Sequence, residues 1–270
     1  MSMSHIKRVG VIGFGAMGKY VVHSLQIHTK NLELCLLLNT TPQAEVFEEF
    51  ESLHFVQNVD DLIQWKPDLV IECAGHSAVI NHVPLLLKAG IDVVIASIGA
   101  LADVEINQQL QDSAEQGNAR LILVSGAIGG LDALRSAKSA GLTTVDYRGR
   151  KPPKAWKGSP AENEFDLDQI HEPTSIFKGT AAEAAIKFPK NANVTAAVAL
   201  SGLGFYETTV ELIADPTIQK NIHEVSAVGS FGNLDISLSN NPLPENPKTS
   251  WLAALSIEEA VTKQLNSLTF

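Results

Sequence analysis

The sequence contains few cysteines and no pattern that would hold a metal ion. Its two cysteines, Cys35 and Cys73, lie in the apolar runs LELCLLL and LVIECAG. Thiols in such runs are usually core side chains, so we predict two buried cysteines that neither form a disulfide nor act as nucleophiles. No group of histidines and cysteines has the spacing of metal ligands. The sequence therefore predicts a protein without a bound metal.

Long apolar segments and basic clusters are also scarce. The longest apolar runs, such as LCLLL and VVIA, have the length of a strand and fall far short of a membrane span. The N-terminal MSMSHIKR leads into a strand and lacks the apolar centre of a signal peptide. The 20 lysines and arginines are outnumbered by 30 aspartates and glutamates, for a net charge of −10. We therefore expect a cytoplasmic protein whose main partner is neither nucleic acid nor a membrane.

The first half of the chain alternates apolar strands with helix-length amphipathic segments. Five runs have the continuous apolar character of strands that are buried on both faces: RVGVIGFG, LELCLLLN, DLVIECAG, DVVIASIG and RLILVSG. This alternation predicts an α/β fold with a parallel sheet, in which ligands bind beyond the carboxyl ends of the strands. We assign residues 1–124 to this Rossmann domain and expect the amphipathic helix at 250–270 to complete it.

The pattern changes in the second half. TTVDYRGR alternates as a half-buried strand does, and Ala-rich helical segments follow a polar loop. YETTVELIAD, HEVSAVGSFG and LDISLSNN then predict three successive strands. Residues 125–249 are therefore expected to form an α+β domain with a mostly antiparallel sheet. An open sheet face of this kind would need a cover, so we expect a homodimer.

The motif G-x-G-x-x-G follows the first strand and opens the first helix. Gly13 permits the tight turn, Gly15 lets a pyrophosphate approach the backbone, and Gly18 lets the helix pack on the strand. The phosphates would sit on the helix N-terminus with Ala16 and Met17, and Ala74 at the end of another strand is a further candidate contact. The motif predicts dinucleotide binding; the alternative is a tight turn that binds nothing.

The second strand does not end in the acidic residue that favours NAD. Asn39-Thr40-Thr41 stands there instead. Asn39 can bond a ribose hydroxyl without repelling a 2′-phosphate, yet no arginine stands beside it to bind one. We therefore predict a relaxed preference between NAD and NADP; the alternative for Asn39 is a simple turn residue.

Four strings in the second half are more specific than the glycine motif. They are SGAIGGLDAL at 125–134, FPKNANVTAA at 188–197, ADPTIQKNIHEV at 214–225 and NPKTS at 246–250. With GFGAMG near the N-terminus they resemble the L-aspartate dehydrogenase family over nearly the whole chain. The resemblance implies NAD(P)-dependent oxidation of L-aspartate to iminoaspartate, which feeds NAD biosynthesis or hydrolyses to oxaloacetate and ammonia. The reverse reaction is a reductive amination.

The resemblance also assigns residues. It places the catalytic histidine at His223 and two cofactor contacts at Ala127 and Asn193. The stretch Asn191-Ala192-Asn193-Val194 departs from the family pattern, in which we expect a valine before the second asparagine; the change is small and leaves Asn193 in place. Asn193 is also expected to cap the helix that follows it.

The chemistry of aspartate oxidation suits His223. The substrate ammonium must lose a proton before hydride leaves the α-carbon, and exchange of the imine with water needs a base, so a group that titrates near neutrality serves both steps. Strand parity puts His223 on one face with Val225 and Ala227. His76, in CAGHSAV, is a weaker candidate that could line the cofactor cleft. The other six histidines are expected to be solvated or half-buried.

The two substrate carboxylates require cations or strong donors in an acidic chain. Lys248, Thr249 and Ser250 in NPKTS are the first candidates. The basic run RGRKPPKAWK at 148–157 is expected to be either a lid over the substrate or a solvated loop. Two other functions stay open: a different two-domain dehydrogenase, related to dihydrodipicolinate reductase or homoserine dehydrogenase, and a nicotinamide-nucleotide sensor without catalytic activity.

Overall fold

A computed structural model describes residues 7–39, 53–244 and 246–265 of the chain. The chain divides into two compact units. Unit 1 comprises the residues up to Val124 and the C-terminal segment from Ala254, and unit 2 comprises Ser125–Ala253. In the described part of the chain, no helix is long and apolar enough to cross a membrane.

Unit 1 is built on a parallel sheet. Its strands are β1 (Lys7–Ile12), β2 (Leu32–Leu37), β3 (Leu53–Val56), β4 (Leu69–Glu72), β5 (Asp92–Ile95) and β6 (Leu121–Leu123). They lie in the order β3-β2-β1-β4-β5-β6, and every neighbouring pair is parallel. The order reverses between β1 and β4, which creates a crevice at the carboxyl ends of these strands. Strand β3, at the edge, was not identified from the sequence, because its short, half-exposed run LHFV lacks continuous apolar character.

The helices of unit 1 cover the sheet. They are α1 (Ala16–His28), α2 (Val59–Gln64), α3 (His76–Lys88) and α4 (Val104–Gly117), with a 3-10 turn at Ile98–Ala102. The chain's last described helix is Trp251–Leu265, and its residues from Ala254 belong to unit 1. There Glu258 Oε1 lies 3.1 Å from Nδ1 of His28 in α1, and Ala254, Ile257 and Val261 are buried.

Unit 2 contains a mixed five-stranded sheet. Its strands are β7 (Leu142–Lys151), β8 (Thr174–Thr180), β9 (Thr209–Ala214), β10 (Asn221–Gly229) and β11 (Gly232–Asn240), in the order β11-β10-β7-β9-β8. Strands β7 and β9 are parallel, and the other described pairs are antiparallel. The sequence predicted a mostly antiparallel sheet and three successive strands in this part of the chain; the observed sheet is mixed. Strand β7 lies between β9 and β10, a non-local pairing that alternation along one strand does not reveal.

The central strands of this sheet, β7, β9 and β10, each have a buried side and a more exposed side. We call the buried side the inner face; its members on the central strands include Val145, Tyr147, Leu212, His223 and Val225. The outer face carries polar residues such as Asp146, Arg148 and Ser226, all exposed. The alternation predicted for β7 and β10 is therefore confirmed.

Short helices complete unit 2. They are α5 (Leu131–Lys138), α6 (Ala181–Lys187) and α7 (Ala192–Ser201), with 3-10 turns at Pro153–Trp156, Pro160–Asn163, Leu167–Gln169 and Pro189–Asn191. A small hairpin pairs β12 (Pro242–Leu243) with β13 (Asn246–Ser250). Helix α7 begins at Ala192, so the residue at its N-cap is Asn191. The prediction that Asn193 caps this helix is wrong, because Asn193 lies inside the first turn.

Candidate active site

The glycine motif of unit 1 is close-packed at two positions and open at one. Gly13 has a φ of +91°, and a Cβ there would lie 2.7 Å from the Cβ of Ala74. A Cβ at Gly18 would collide with the carbonyl oxygen of Gly13, whereas one at Gly15 would have no atom within 4 Å. The first and third glycines therefore hold the turn against its neighbours. The second leaves the free space that a pyrophosphate would need.

The same loop ends in an uncapped helix. Gly15 is the N-cap of α1 and contributes no side-chain hydrogen bond, so Ala16 and Met17 begin the helix with main-chain N–H groups that an anion could use. Asn39 is exposed and follows the end of β2, as expected from the sequence. Thr40 and Thr41 lie outside the described residues. His76 is the first residue of α3.

A buried carboxylate holds the loop that faces Gly13. Glu72, at the end of β4, is fully buried, and its Oε1 accepts hydrogen bonds from the N–H groups of Ala74 and Gly75, both at 2.7 Å. Its two oxygens also accept from the N–H of Ser97 at 3.1 Å and the hydroxyl of Ser97 at 3.0 Å. Burial raises the pKa of Glu72, and the hydrogen bonds oppose this shift. This role of Glu72 was not predicted from the sequence, although an acid inside the apolar run LVIECAG is a signal for it.

His223 occupies the inner face of unit 2 and is only 3% exposed. The hydroxyl of Tyr147 and Nδ1 of His223 share a hydrogen bond of 2.8 Å, and the two rings lie within 9° of parallel. Gly149 is paired with His223 across the sheet, and a Cβ at Gly149 would lie 2.8 Å from that hydroxyl oxygen. The missing side chain at Gly149 therefore makes room for the Tyr147–His223 hydrogen bond.

The other ring nitrogen of His223 is available for chemistry. Nε2 is buried and has no hydrogen-bond partner among the described residues. When Nδ1–H donates to Tyr147, Nε2 presents a lone pair, and in the other tautomer it presents an N–H. Burial, followed by the positive charge of Lys151, lowers the pKa of His223 to about 3. The free imidazole is therefore neutral near pH 7 and can accept a proton at Nε2.

Lys151 brings a positive charge to the same face. It stands two residues after Gly149 on β7 and so points to the side on which His223 lies. Its Nζ donates to Oδ1 of Asn191 and lies 5.3 Å from the ring centroid of Trp156. Burial lowers the pKa of Lys151 to about 8. This residue, like Tyr147, was not singled out from the sequence.

The turn that precedes His223 is fixed by an internal ion pair. Asp215 is fully buried; Nε of Arg150 donates to its Oδ2 at 3.1 Å, and the N–H of Thr217 donates to its Oδ1 at 2.9 Å. Burial alone would raise the pKa of Asp215, but the hydrogen bonds from Thr217 and Arg150 outweigh burial and lower it. The string ADPT is thus a structural device that starts β10 at a defined position.

Two residues assigned by resemblance lie close to the His223 face. The carbonyl oxygen of buried Ala127 accepts a hydrogen bond of 2.7 Å from Nδ2 of Asn240 in β11. Leu238 of β11 pairs with His223, and a Cβ at Gly129 would contact Leu238 at 3.6 Å. Asn193 lies in the first turn of α7, next to Asn191, the partner of Lys151. Unit 2 therefore gathers the segments of Ala127, Asn193 and His223.

Comparisons with known proteins match both parts of this chain to dehydrogenases. Residues 132–264 match a family model described as "Aspartate dehydrogenase, C-terminal", and residues 13–124 match "Homoserine dehydrogenase, NAD binding domain". L-aspartate dehydrogenase of Ralstonia pickettii is 42% identical over 265 residues, which are 96% of this chain and 98% of that protein. L-aspartate dehydrogenase of Acinetobacter baumannii strain ATCC 17978 is 45% identical over 265 residues, or 97% and 99% of the two chains. This chain belongs to the L-aspartate dehydrogenase family.

A solved structure extends the family likeness to the fold. The crystal structure of aspartate dehydrogenase from Thermotoga maritima is 26% identical, with a TM-score of 0.78, and the match covers 98% of this chain and all of that one. The resemblance stated from the sequence is thus confirmed. As a member of this family the chain is an oxidoreductase that uses NAD or NADP. The family model named for homoserine dehydrogenase matches residues 13–124 alone.

The three candidates in NPKTS differ in their surroundings. Ser250 is buried, and its hydroxyl accepts a hydrogen bond of 3.4 Å from Nδ2 of Asn221, two residues before His223. The hydroxyl of Thr249 accepts from Nδ2 of Asn246 at 3.1 Å, so it serves the small hairpin. The side chain of Lys248 lies outside the described part of the structure.

The basic run at 148–157 is part of unit 2: it begins in β7 and ends beside a buried tryptophan. Trp156 is 1% exposed, and its Nε1–H donates to the carbonyl oxygen of Ile213 at 3.2 Å. A solvated loop does not bury its tryptophan, so that alternative is wrong for this part of the run.

Proposed function

We propose that this protein oxidises L-aspartate to iminoaspartate with NAD or NADP, and that it runs the reaction in reverse as a reductive amination. The observation that carries the proposal is the buried imidazole of His223, which Tyr147 holds at Nδ1 and which is unpartnered at Nε2. The family membership supports the substrate, because the relatives are named L-aspartate dehydrogenases. The product hydrolyses to oxaloacetate and ammonia or feeds NAD biosynthesis.

The proposed division of labour follows the two parts of the chain. Residues 1–124 with 250–270 would bind the cofactor, with Gly13, Gly15, Ala16, Met17 and Gly18 at its phosphates, Asn39 at its ribose and Ala74 beside the turn. Residues 125–249 would carry the chemistry, with Ala127 and Asn193 as further cofactor contacts. The open space at Gly15 and the uncapped start of α1 fit a pyrophosphate.

His223 is the proposed proton acceptor. The bound nicotinamide supplies the hydride acceptor, and the protein must supply a base for the substrate ammonium and for water. A neutral imidazole with a free Nε2 can take a proton from either, and Tyr147 holds its ring in place through Nδ1. The low pKa of free His223 keeps the imidazole neutral at neutral and alkaline pH, but it also makes free His223 a weaker base than the near-neutral group expected from the sequence.

Asn39 supports a relaxed cofactor preference. It has no charge that would repel a 2′-phosphate, and the end of β2 carries no acid that would favour NAD. Titration of the protein with NADH and NADPH should give dissociation constants within about a hundredfold, a difference of 2.7 kcal/mol. A larger difference would contradict the proposal.

A homodimer through the outer face of the unit 2 sheet is also proposed. This face holds a groove of about 360 Å³ lined by side chains of both charges, among them Arg148, Lys178, Glu211 and Glu224. Mixed charge suits a two-fold interface, in which the same surface must complement itself. Sedimentation equilibrium should show a dimer that Arg148→Glu weakens; a monomer at every micromolar concentration would contradict it.

We further propose a cytoplasmic location. Nicotinamide-dependent metabolism supports it, as do the two cysteines, which are both free thiols. Fractionation of the source cells should recover the protein with cytoplasmic markers.

One assay tests the proposed activity. The purified protein is incubated with NAD or NADP at alkaline pH and a panel of amino acids and hydroxy acids, and reduced cofactor is followed by absorbance. Turnover with L-aspartate above all others is the expected result. Preference for another substrate would favour a different dehydrogenase, and tight cofactor binding without turnover would favour a sensor.

A further inference from the structure

The cations of the basic run at 148–157 are compensated differently on the two faces of the sheet. On the outer face, Nε of Arg148 lies 3.1 Å from Oε2 of Glu211, and Arg150 is paired with Asp215. Beyond the strand, Nζ of Lys157 lies 2.7 Å from Oδ1 of Asp168. Each of these charges therefore meets a carboxylate of the protein.

Lys151, on the inner face, does not. Its Nζ donates to the amide oxygen of Asn191, and among the described residues no carboxylate lies within 4.0 Å of it. Lys151 is half-buried, and a partly desolvated ammonium without a counter-charge destabilises a folded protein, since desolvation is not offset by an ion pair. Such an arrangement is typical of a site that receives its negative charge from a ligand.

The position of Lys151 relates it to the proposed proton acceptor. Arg150 pairs with Ile222 across the sheet and Gly149 pairs with His223, so Lys151 lies at the level of Asn221, two residues from His223. About 7 Å separates such levels along a strand. Asn221 in turn donates to the hydroxyl of Ser250. The inner face thus carries a cation and an unpartnered imidazole nitrogen on neighbouring levels of the sheet, with a hydroxyl group bonded at the level of the cation.

We propose that the ammonium group of Lys151 binds a carboxylate of the substrate, beside the amine or imine on which His223 acts. This inference rests on the proposed function, which requires a site for two carboxylates. It adds a residue to the candidates in NPKTS, and it explains why the half-buried Lys151 has no acidic partner in the described part of the chain. The low pKa of free Lys151 agrees with this, because a bound carboxylate would restore the charged form.

Succinate tests the proposal independently of turnover. This dicarboxylate has no amine to oxidise, so its binding to the NAD-saturated protein can be measured by titration calorimetry. Lys151→Met removes the charge and keeps an unbranched apolar side chain. The matched control is Lys154→Met, because Lys154 is exposed and lies three residues further along the same segment.

The expected loss is selective. Lys151→Met should raise the dissociation constant of succinate and the KM for aspartate by about 10- to 100-fold, the range for losing a hydrogen bond to a charged group. The dissociation constant of NAD should stay within twofold, kcat should fall less than KM rises, and Lys154→Met should match the unmodified protein. Lys151→Gln, which keeps a polar side chain, should show the same loss and provides a second variant if Lys151→Met folds poorly.

Three results would overturn the proposal. They are succinate binding within threefold of normal in the folded Lys151 variants, no succinate binding to the unmodified protein, and a fall in kcat with KM unchanged. If the unmodified protein binds succinate through Lys151 but does not oxidise aspartate, the carboxylate site stands and the proposed reaction fails.

Discussion

The candidate sites of the two units are built in opposite ways. In unit 1 the nucleotide loop is a short run with three glycines, in which Gly15 leaves open space and the helix N-terminus stays uncapped. In unit 2 the site consists of functional side chains, namely the buried His223, whose Nε2 has no hydrogen-bond partner among the described residues, and the half-buried Lys151, whose ammonium meets an amide oxygen and no carboxylate there. The first kind of site disturbs the fold little. The second lowers stability in exchange for reactive groups.

The largest expected effect lies in unit 2. His223→Ala should lower kcat by about 100-fold or more, since it removes the proposed base. The affinity for NAD should be nearly unchanged, because the nucleotide loop belongs to unit 1. Steady-state kinetics and NADH titration would measure both. Ser226→Ala, on the outer face of the same strand, is the control, and near-normal turnover of His223→Ala would remove His223 from the mechanism.

Replacing Lys151 should weaken substrate binding but stabilise the folded protein. Lys151→Met should raise the free energy of unfolding at pH 7 by roughly 1 to 3 kcal/mol, because it replaces an uncompensated, half-buried charge by an apolar side chain. Urea unfolding followed by circular dichroism would measure the change. A loss of stability at pH 7 would contradict the view that this charge is uncompensated.

The same variant has a pH signature. The pKa of Lys151 is about 8 in the folded protein against an ordinary value of 10.5. Between these values the unfolded chain binds more protons than the folded one, so the stability of the unmodified protein rises with pH. The advantage of Lys151→Met should therefore be complete below about pH 8 and close by pH 10.5. If the difference in the free energy of unfolding between Lys151→Met and the unmodified protein does not change with pH, the effect comes from packing and not from the charge.

A substitution in the glycine loop should weaken cofactor binding and leave the stability of the fold almost unchanged. Gly15→Val should weaken NAD binding by at least about tenfold, or 1.4 kcal/mol, because its side chain would fill the space left for the pyrophosphate. Gly15 has a φ of −74°, which valine can adopt, so the free energy of unfolding should change by no more than about 1 kcal/mol. Cofactor titration beside urea unfolding would check this. Unchanged cofactor binding would show that the phosphates lie elsewhere.

The smallest effect is expected where one side chain supports another. Tyr147→Phe should lower kcat about 5- to 10-fold, as expected for one hydrogen bond, with the KM for NAD unchanged. Gly149→Ala should act similarly, because its Cβ would displace the Tyr147 hydroxyl. Full kcat in both variants would show that the hydrogen bond to Nδ1 does not position His223.

The sequence predicted the local features of both units well. Apolar strands, the glycine loop and the alternation that buries His223 with Val225 are properties of neighbouring residues, and parity needs no knowledge of the rest of the fold. The family resemblance then distinguished His223 from the other histidines. Its role, like that of Asn193, stays a prediction until the variants are measured.

What the sequence did not predict depends on non-local pairing. Lys151 could be placed on the face of Tyr147 by parity, but nothing in its own segment shows that β10 lies beside β7. The sequence therefore pointed to Lys248 first, and to Lys151 only as one member of the candidate lid at 148–157. Glu72 was missed for a similar reason, because two of its donors come from Ser97, 25 residues away in the chain.

Gly149 gives the site an unusual kind of sensitivity. It has no side chain, yet any other residue at this position would push against the Tyr147 hydroxyl. Screens that search for substrate contacts would therefore overlook it, whereas a scan of single substitutions should find it among the least tolerant positions of β7. Substitutions at Tyr147 or Gly149 would therefore change the hydrogen bond at Nδ1, and with it the pKa of His223, without replacing the histidine itself.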